Sequence, residues 1–73
     1  MNGRAAIIKT LVGDKRFGFL RDPQNQEEIF FHASALQGAV FTDLYTDQKV
    51  SYTLDPNPKP GKGPRALTVE IAE

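Results

Sequence analysis

The sequence predicts a small all-β domain, a five-stranded antiparallel barrel, on three observations. Short runs rich in β-branched and aromatic residues recur between clusters of turn residues, and no long helical pattern interrupts them. Lys49 to Leu54 and Arg65 to Ile71 alternate apolar and polar residues, the period of a half-buried strand. The length is 73 residues with no cysteine, which allows one barely adequate core and no disulfide support. One domain over residues 1–73 is expected.

Strand one is read over Ala5 to Val12, ended by the turn residues Gly13 and Asp14. Ile7 and Ile8 are adjacent, so alternation fails there and a bulge or a change of buried face is expected. Arg16 to Arg21 is strand two and Glu28 to His32 strand three, joined as a hairpin through Asp22-Pro23-Gln24-Asn25-Gln26. Ala33 to Leu36 is long enough for one helical turn, stopped by Gly38. The connection from Gln37 to Asp47 holds Val40, Phe41, Leu44 and Tyr45, too apolar for a spacer, so part of it is expected to pack back or serve a site. In strand four, Lys49 to Leu54, Val50, Tyr52 and Leu54 share one face; Tyr45 and Tyr52 are expected to support the core with their hydroxyls outward. Asp55 to Pro64 carries four of the five prolines and is read as a stiff surface loop. Strand five, Arg65 to Ile71, sets Leu67, Val69 and Ile71 against Ala66, Thr68 and Glu70.

Composition narrows the function. No apolar run approaches the ~20 residues of a membrane helix and the N-terminus lacks a signal-peptide core, so a soluble cytoplasmic protein is expected, with no membrane partner. The formal net charge is zero, but the bases are unevenly placed. Arg4, Lys9, Lys15, Arg16 and Arg21 lie early; Lys49, Lys59, Lys62 and Arg65 lie late; Asp22 to Asp47 holds acids and no Lys or Arg. A barrel closed by its first and last strands would join the two basic segments. With one histidine and no cysteine there is no zinc-ligand spacing, and no cofactor is expected. Ser34 lies two residues from His32, a spacing read as unable to orient the imidazole onto the hydroxyl, and Glu27 and Glu28 face opposite ways in a strand. The chain is read as a non-enzyme.

The aromatic residues carry the functional signal. In Arg16-Phe17-Gly18-Phe19-Leu20-Arg21, Phe17 and Phe19 share one face while Gly18 and Leu20 share the other. In Ile29-Phe30-Phe31-His32, Phe30 and His32 oppose Ile29 and Phe31. Both strands are thus apolar on both sides, and a chain this short builds only one core. Were the core on the side of Phe17, Phe19, Phe30 and His32, then Leu20, Ile29 and Phe31 would be stranded outside. The opposite choice leaves three rings and an imidazole exposed beside Lys15, Arg16 and Arg21, which suits single-stranded nucleic acid, since every base has a π-face and every nucleotide a phosphate. Phe41 is read as one more platform rather than a lid on the core.

Lys15-Arg16-Phe17-Gly18-Phe19-Leu20 resembles the first RNA-binding motif of the bacterial cold-shock domain family, usually lysine-glycine-phenylalanine-glycine-phenylalanine-isoleucine. Ile29-Phe30-Phe31-His32 resembles the second motif, and Ala33-Ser34-Ala35-Leu36-Gln37-Gly38 and Lys62-Gly63-Pro64-Arg65-Ala66 match in order, so the resemblance covers nearly the whole chain. It implies a five-stranded OB-fold barrel that binds single-stranded RNA and DNA, often as an RNA chaperone that prevents or melts hairpins. On matching positions, Phe17, Phe19, Phe30, His32 and Phe41 form the stacking set, and Lys9, Lys15, Lys62, Gly63, Pro64 and Arg65 flank the bound strand.

The chain departs from this pattern at several places. Lys9-Thr10-Leu11-Val12 stands where the family usually has lysine-tryptophan-phenylalanine-asparagine, so one ring of the platform is missing. Arg16 replaces the first glycine of the motif, adding a charge beside the platform, and Ala33 stands where many members carry an aromatic. The proline loop is longer than usual. The alternative reading is a protein-interaction module on the same fold, for which the altered first strand and the loop are the motive. A monomer is expected, and a domain-swapped dimer is one form of that alternative.

Overall fold

The two strands that are apolar on both sides lie next to each other at one end of a single antiparallel sheet. The computed structural model describes residues 3–24, 26–57, 61 and 63–72. Its strands are β1 (Arg4–Val12), β2 (Phe17–Arg21), β3 (Glu28–His32), β4 (Lys49–Leu54) and β5 (Ala66–Ile71), in the spatial order β3-β2-β1-β4-β5. β1 is long enough to serve two partners, pairing β2 through Ile7 to Val12 and β4 through Arg4 to Ile7. No helix among the described residues is long and apolar enough to cross a membrane.

The sheet curls without a continuous closing ladder. Its edge strands approach at isolated parallel bridges, Phe30 with Arg65 and Leu36 with Val69. Phe30 N–H donates to the Pro64 carbonyl at 3.1 Å, and Gln37 N–H to the Val69 carbonyl at 2.9 Å. The seam therefore joins β3 to β5, not the first strand to the last. β1 lies mid-sheet because it bonds on both edges, and among the described late bases the seam brings Arg65 beside Phe30.

Two bulges set which side chains face inward. Along β1 the register runs Ile8↔Leu20 and then Thr10↔Phe19, so Lys9 is the extra residue, one place beyond the Ile7-Ile8 pair where the sequence located the break. Ile8 is fully buried and Lys9 and Thr10 face solvent. Between β4 and β5 the register runs Thr53↔Thr68 and then Leu54↔Ala66, so Leu67 is extra. That bulge corrects the expected alternation: Ala66 is buried and Leu67 is 50% exposed, because one inserted residue flips the face.

The core is Ala6, Ile8, Leu20, Ile29, Phe31, Leu44, Val50, Tyr52, Ala66 and Val69. The long connection does pack back, through Leu44 and through Phe41 in a 3-10 turn over Phe41–Asp43. Tyr45, however, is 61% exposed rather than a core support. Tyr52 corrects a second expectation, since its hydroxyl points inward and donates to Asp22 Oδ2 at 3.0 Å. Asp22 is itself buried, and its Oδ1 accepts from Gln24 N–H at 2.9 Å, so one turn carboxylate ties the β2–β3 loop to β4. Burial pushes the Tyr52 phenol above its ordinary pKa, and the Asp22 carboxylate adds to the rise.

Candidate nucleic-acid interface

With Leu20 and Ile29 at 0% exposure and Phe31 at 1%, the inner face of β2 and β3 has a complete core of its own. The period of two then obliges Phe17, Phe19, Phe30 and His32 to project from the other side. Register pairs Phe17 with His32 and Phe19 with Phe30, and Thr10 extends the second row onto β1. The three rings are half-buried and touch one another, with centroids 5.4 Å apart for Phe17–Phe30, 5.9 Å for Phe19–Phe30 and 6.1 Å for Phe17–Phe19. Their planes are inclined by 40° to 89°, so each offers a face or an edge at its own angle rather than stacking away its neighbours.

His32 is exposed and caps a 3-10 turn over Ala33–Ala35. Its Nδ1 accepts from Ser34 N–H at 3.1 Å and lies 3.1 Å from Ser34 Oγ. The two-residue spacing therefore does bring imidazole and hydroxyl together, contrary to the sequence reading, because the tight turn folds Ser34 back onto the ring. An Nδ1 that accepts from a backbone N–H places the hydrogen of the neutral ring on Nε2.

Cations bound the rings. Lys15 and Arg16 lie in the exposed β1–β2 turn, where Arg16 N–H bonds the Val12 carbonyl at 2.9 Å and the Arg16 carbonyl accepts from Ala33 N–H at 2.9 Å. Arg16 has a φ of 58°, the left-handed region in which glycine is unstrained. The departure from the usual glycine thus carries a backbone cost of about 1 kcal/mol along with its added charge. Lys9 crosses over β2 to pair with Glu28, marking the other margin of the ring cluster. Arg65, beside Phe30 at the seam, is held by Asp55 with Nε 3.0 Å from Oδ2.

Not every expected residue joins this face. Phe41 is half-buried against the core, its ring 6.3 Å from Phe31, so the structure makes it a cover for that end of the core. Gly63 is exposed and Pro64 supplies the seam carbonyl, while Lys62 lies outside the described residues. Leu67 and Ala35, which sequence reading did not select, line a cleft of about 500 Å³ with Phe30, His32, Ser34, Arg65 and Ala66. The bulge that turns Leu67 outward has no signature in a run that alternates on paper.

Comparison with known proteins agrees with this geometry. The 'Cold-shock' DNA-binding domain model matches residues 4–72. Cold shock-like protein CspB of Escherichia coli strain K12 is 31% identical over 72 residues, covering 99% of this chain and 97% of that protein. Cold shock-like protein CspJ of Salmonella typhimurium strain SL1344 is 32% identical over 63 residues, 86% of each chain. Cold shock-like protein CspG of Escherichia coli strain K12 is 29% identical over 68 residues, 93% of each. A chain matched over nearly all its length, with its rings turned outward from a complete core, belongs to the cold-shock DNA-binding domain family.

Proposed function

We propose that this protein binds single-stranded RNA and DNA in the cytoplasm by stacking bases on Phe17, Phe19, Phe30 and His32, and that it acts as an RNA chaperone rather than an enzyme. The observation that carries the reading is three mutually touching, partly exposed phenylalanines on the outside of strands whose inside is fully occupied. Lys9, Lys15, Arg16 and Arg65 serve the phosphates, with Gly63 and Pro64 at the margin of the path. Stacking reads the face that all bases share, so binding is tolerant of sequence. Such binding disfavours hairpins by mass action on the unpaired state.

The test is a titration of isotope-labelled protein with a thymidine heptanucleotide and with a duplex of the same length at low salt. Amide shifts are expected at residues 17, 19, 30 and 32 with the single strand and not with the duplex. Affinity should fall with salt at a slope of ~0.7 per phosphate neutralised. No binding of the single strand at low salt overturns the proposal.

The missing ring gives a sharper prediction. Thr10 is exposed and sits across from Phe19 in register, where a tryptophan would extend the platform onto β1. Thr10→Trp is expected to tighten heptanucleotide binding about tenfold, one added stacked base being worth ~1–3 kcal/mol. The chain has no tryptophan, so quenching of the new indole reports its own contact. The same affinity in an amide-shift titration, with no quenching, counts against the extension.

A further inference from the structure

We infer that this chain carries a second nucleic-acid contact on the outer face of β1 and β4, where Arg21 and Lys49 hold phosphates across Ile7 and Tyr45 receives a base. The inference rests on the single-strand reading above and adds four residues that belong neither to the ring cluster nor to its flanking cations. Register places three of them. On the outer face the rings occupy two cross-strand rows, His32–Phe17–Val12 and Phe30–Phe19–Thr10. The next row is Glu28–Arg21–Ile7–Lys49, paired residue by residue from β3 through β2 and β1 to β4. Directly paired residues share a face, and the neighbours Ile29, Leu20, Ala6, Ile8 and Val50 are buried, so this row points outward. It lies two residues from Phe19 along β2, ~6–7 Å.

Three features identify the occupant as further nucleotides of a strand already stacked on the rings. First, the row carries unengaged positive charge. Arg21 and Lys49 are exposed, and among the described residues neither is in an ion pair. The acid of the row, Glu28, is already held by Lys9. The two cations stand two strand spacings apart, ~10 Å, with the partly exposed Ile7 between them, an arrangement that suits phosphates on either side of a sugar. Second, Tyr45 is 61% exposed on a turn fastened to the same strand. Gln48 N–H donates to the Tyr45 carbonyl at 3.3 Å, and Tyr45 N–H donates to Gln48 Oε1 at 3.2 Å. Asp47 N–H donates to the Ile8 carbonyl at 2.7 Å, and Ile8 N–H to the Gln48 carbonyl at 3.0 Å. A large ring left in solvent on a turn so held is a stacking platform that costs little further ordering. Third, Tyr45 and Lys49 line one recess of about 290 Å³ with Asp47, Gln48, Ile71 and Ala72. Asp47 disfavours a phosphate there and accepts from a base amino group, so the base enters the recess while its phosphate stays with Lys49. Glu70, paired with Ser51 one row further out, bounds the patch.

The experiment compares a thymidine tetranucleotide, which the ring cluster and His32 suffice to hold, with a thymidine dodecanucleotide, long enough to reach the second patch. Proteins are the wild type, the double variant Arg21→Gln with Lys49→Gln, Tyr45→Ala and Tyr45→Phe. The double variant is expected to bind the dodecanucleotide about three- to tenfold more weakly at low salt, with a salt slope lower by about 1.4, two phosphates at ~0.7 each. Its tetranucleotide affinity should change less than about twofold. Tyr45→Ala should weaken the dodecanucleotide alone, by about fivefold or more for one lost stacked base. The chain has no tryptophan and its other tyrosine, Tyr52, is buried, so tyrosine emission reports Tyr45 directly. The dodecanucleotide should quench it in the wild type, and Tyr45→Phe should keep the affinity and lose the quenching. Equal weakening of both lengths by the double variant overturns the inference, since the cations would then act only through the general field. Dodecanucleotide binding with no quenching, unchanged in Tyr45→Ala, also overturns it and leaves the ring face standing. No binding of either length by the wild type would remove the stacking reading itself.

Discussion

Gly18→Ala is expected to destabilise the fold by about 2–3 kcal/mol, near the upper end for an overpacked core position. Gly18 is buried at the centre of the β1–β2–β3 pairing, opposite Leu11 on one side and Phe31 on the other. A Cβ there would stand 2.4 Å from the Thr10 carbonyl oxygen, 2.9 Å from Phe31 Cε1 and 3.1 Å from Cζ. Neither neighbour yields readily. The carbonyl belongs to β1 just beyond the Lys9 bulge, and the Phe31 ring is fully buried with Phe41 packed beside it. For a domain of this size the loss corresponds to a fall in Tm of about 10–20 °C, to be read by thermal and denaturant unfolding. A loss below about 0.5 kcal/mol would show that β1 shifts freely, contrary to the packing described. The result separates two demands within one motif. Its central glycine is required by the core, whereas the phenylalanines on either side are surplus to the core and face outward.

Much of this was legible because period-two patterns leave few choices. β3 and β4 have the bounds expected, and the others differ by one residue at their starts. Which face of β2 and β3 is inside followed from Leu20, Ile29 and Phe31, since a short chain cannot bury both sides. The bulges were harder. A register slip depends on how two strands pair, so Leu67 reads as an inward residue in its own run and becomes outward only against β4. Asp22 read as a turn residue by composition, and its buried bond to Tyr52 is a contact 30 positions apart that no local pattern announces. Phe41, expected as a platform, packs on the core for the same reason: an aromatic in a polar loop is placed by what lies beneath it, here Phe31. Arg16 shows the converse, a motif departure visible in sequence whose backbone strain emerges only with its φ.

Loss of binding with a retained fold is the outcome expected of Phe17→Ala combined with Phe30→Ala. The two rings are 5.4 Å apart, and each also touches Phe19, so the pair removes every contact within the exposed cluster. If each ring supports a stacked base worth ~1–3 kcal/mol, the double variant loses at least about thirtyfold in single-strand affinity. The stability loss should be small by comparison, about 1–2 kcal/mol, because partly buried surface rings give up partial burial and mutual edge contacts rather than leave a cavity. Phe31→Ala supplies the contrast from the other face of the same strand: that ring is 1% exposed, and removing it should cost about 3–5 kcal/mol. Heptanucleotide titration and urea unfolding of the three proteins in parallel make the comparison. A double variant that unfolds as readily as Phe31→Ala would mean that the cluster is structural. One that keeps both its fold and its affinity would place the bases elsewhere. The ordering expected here, binding lost first and stability second, is the consequence of a strand pair whose two apolar faces have different partners, the core for one and an unpaired nucleic acid for the other.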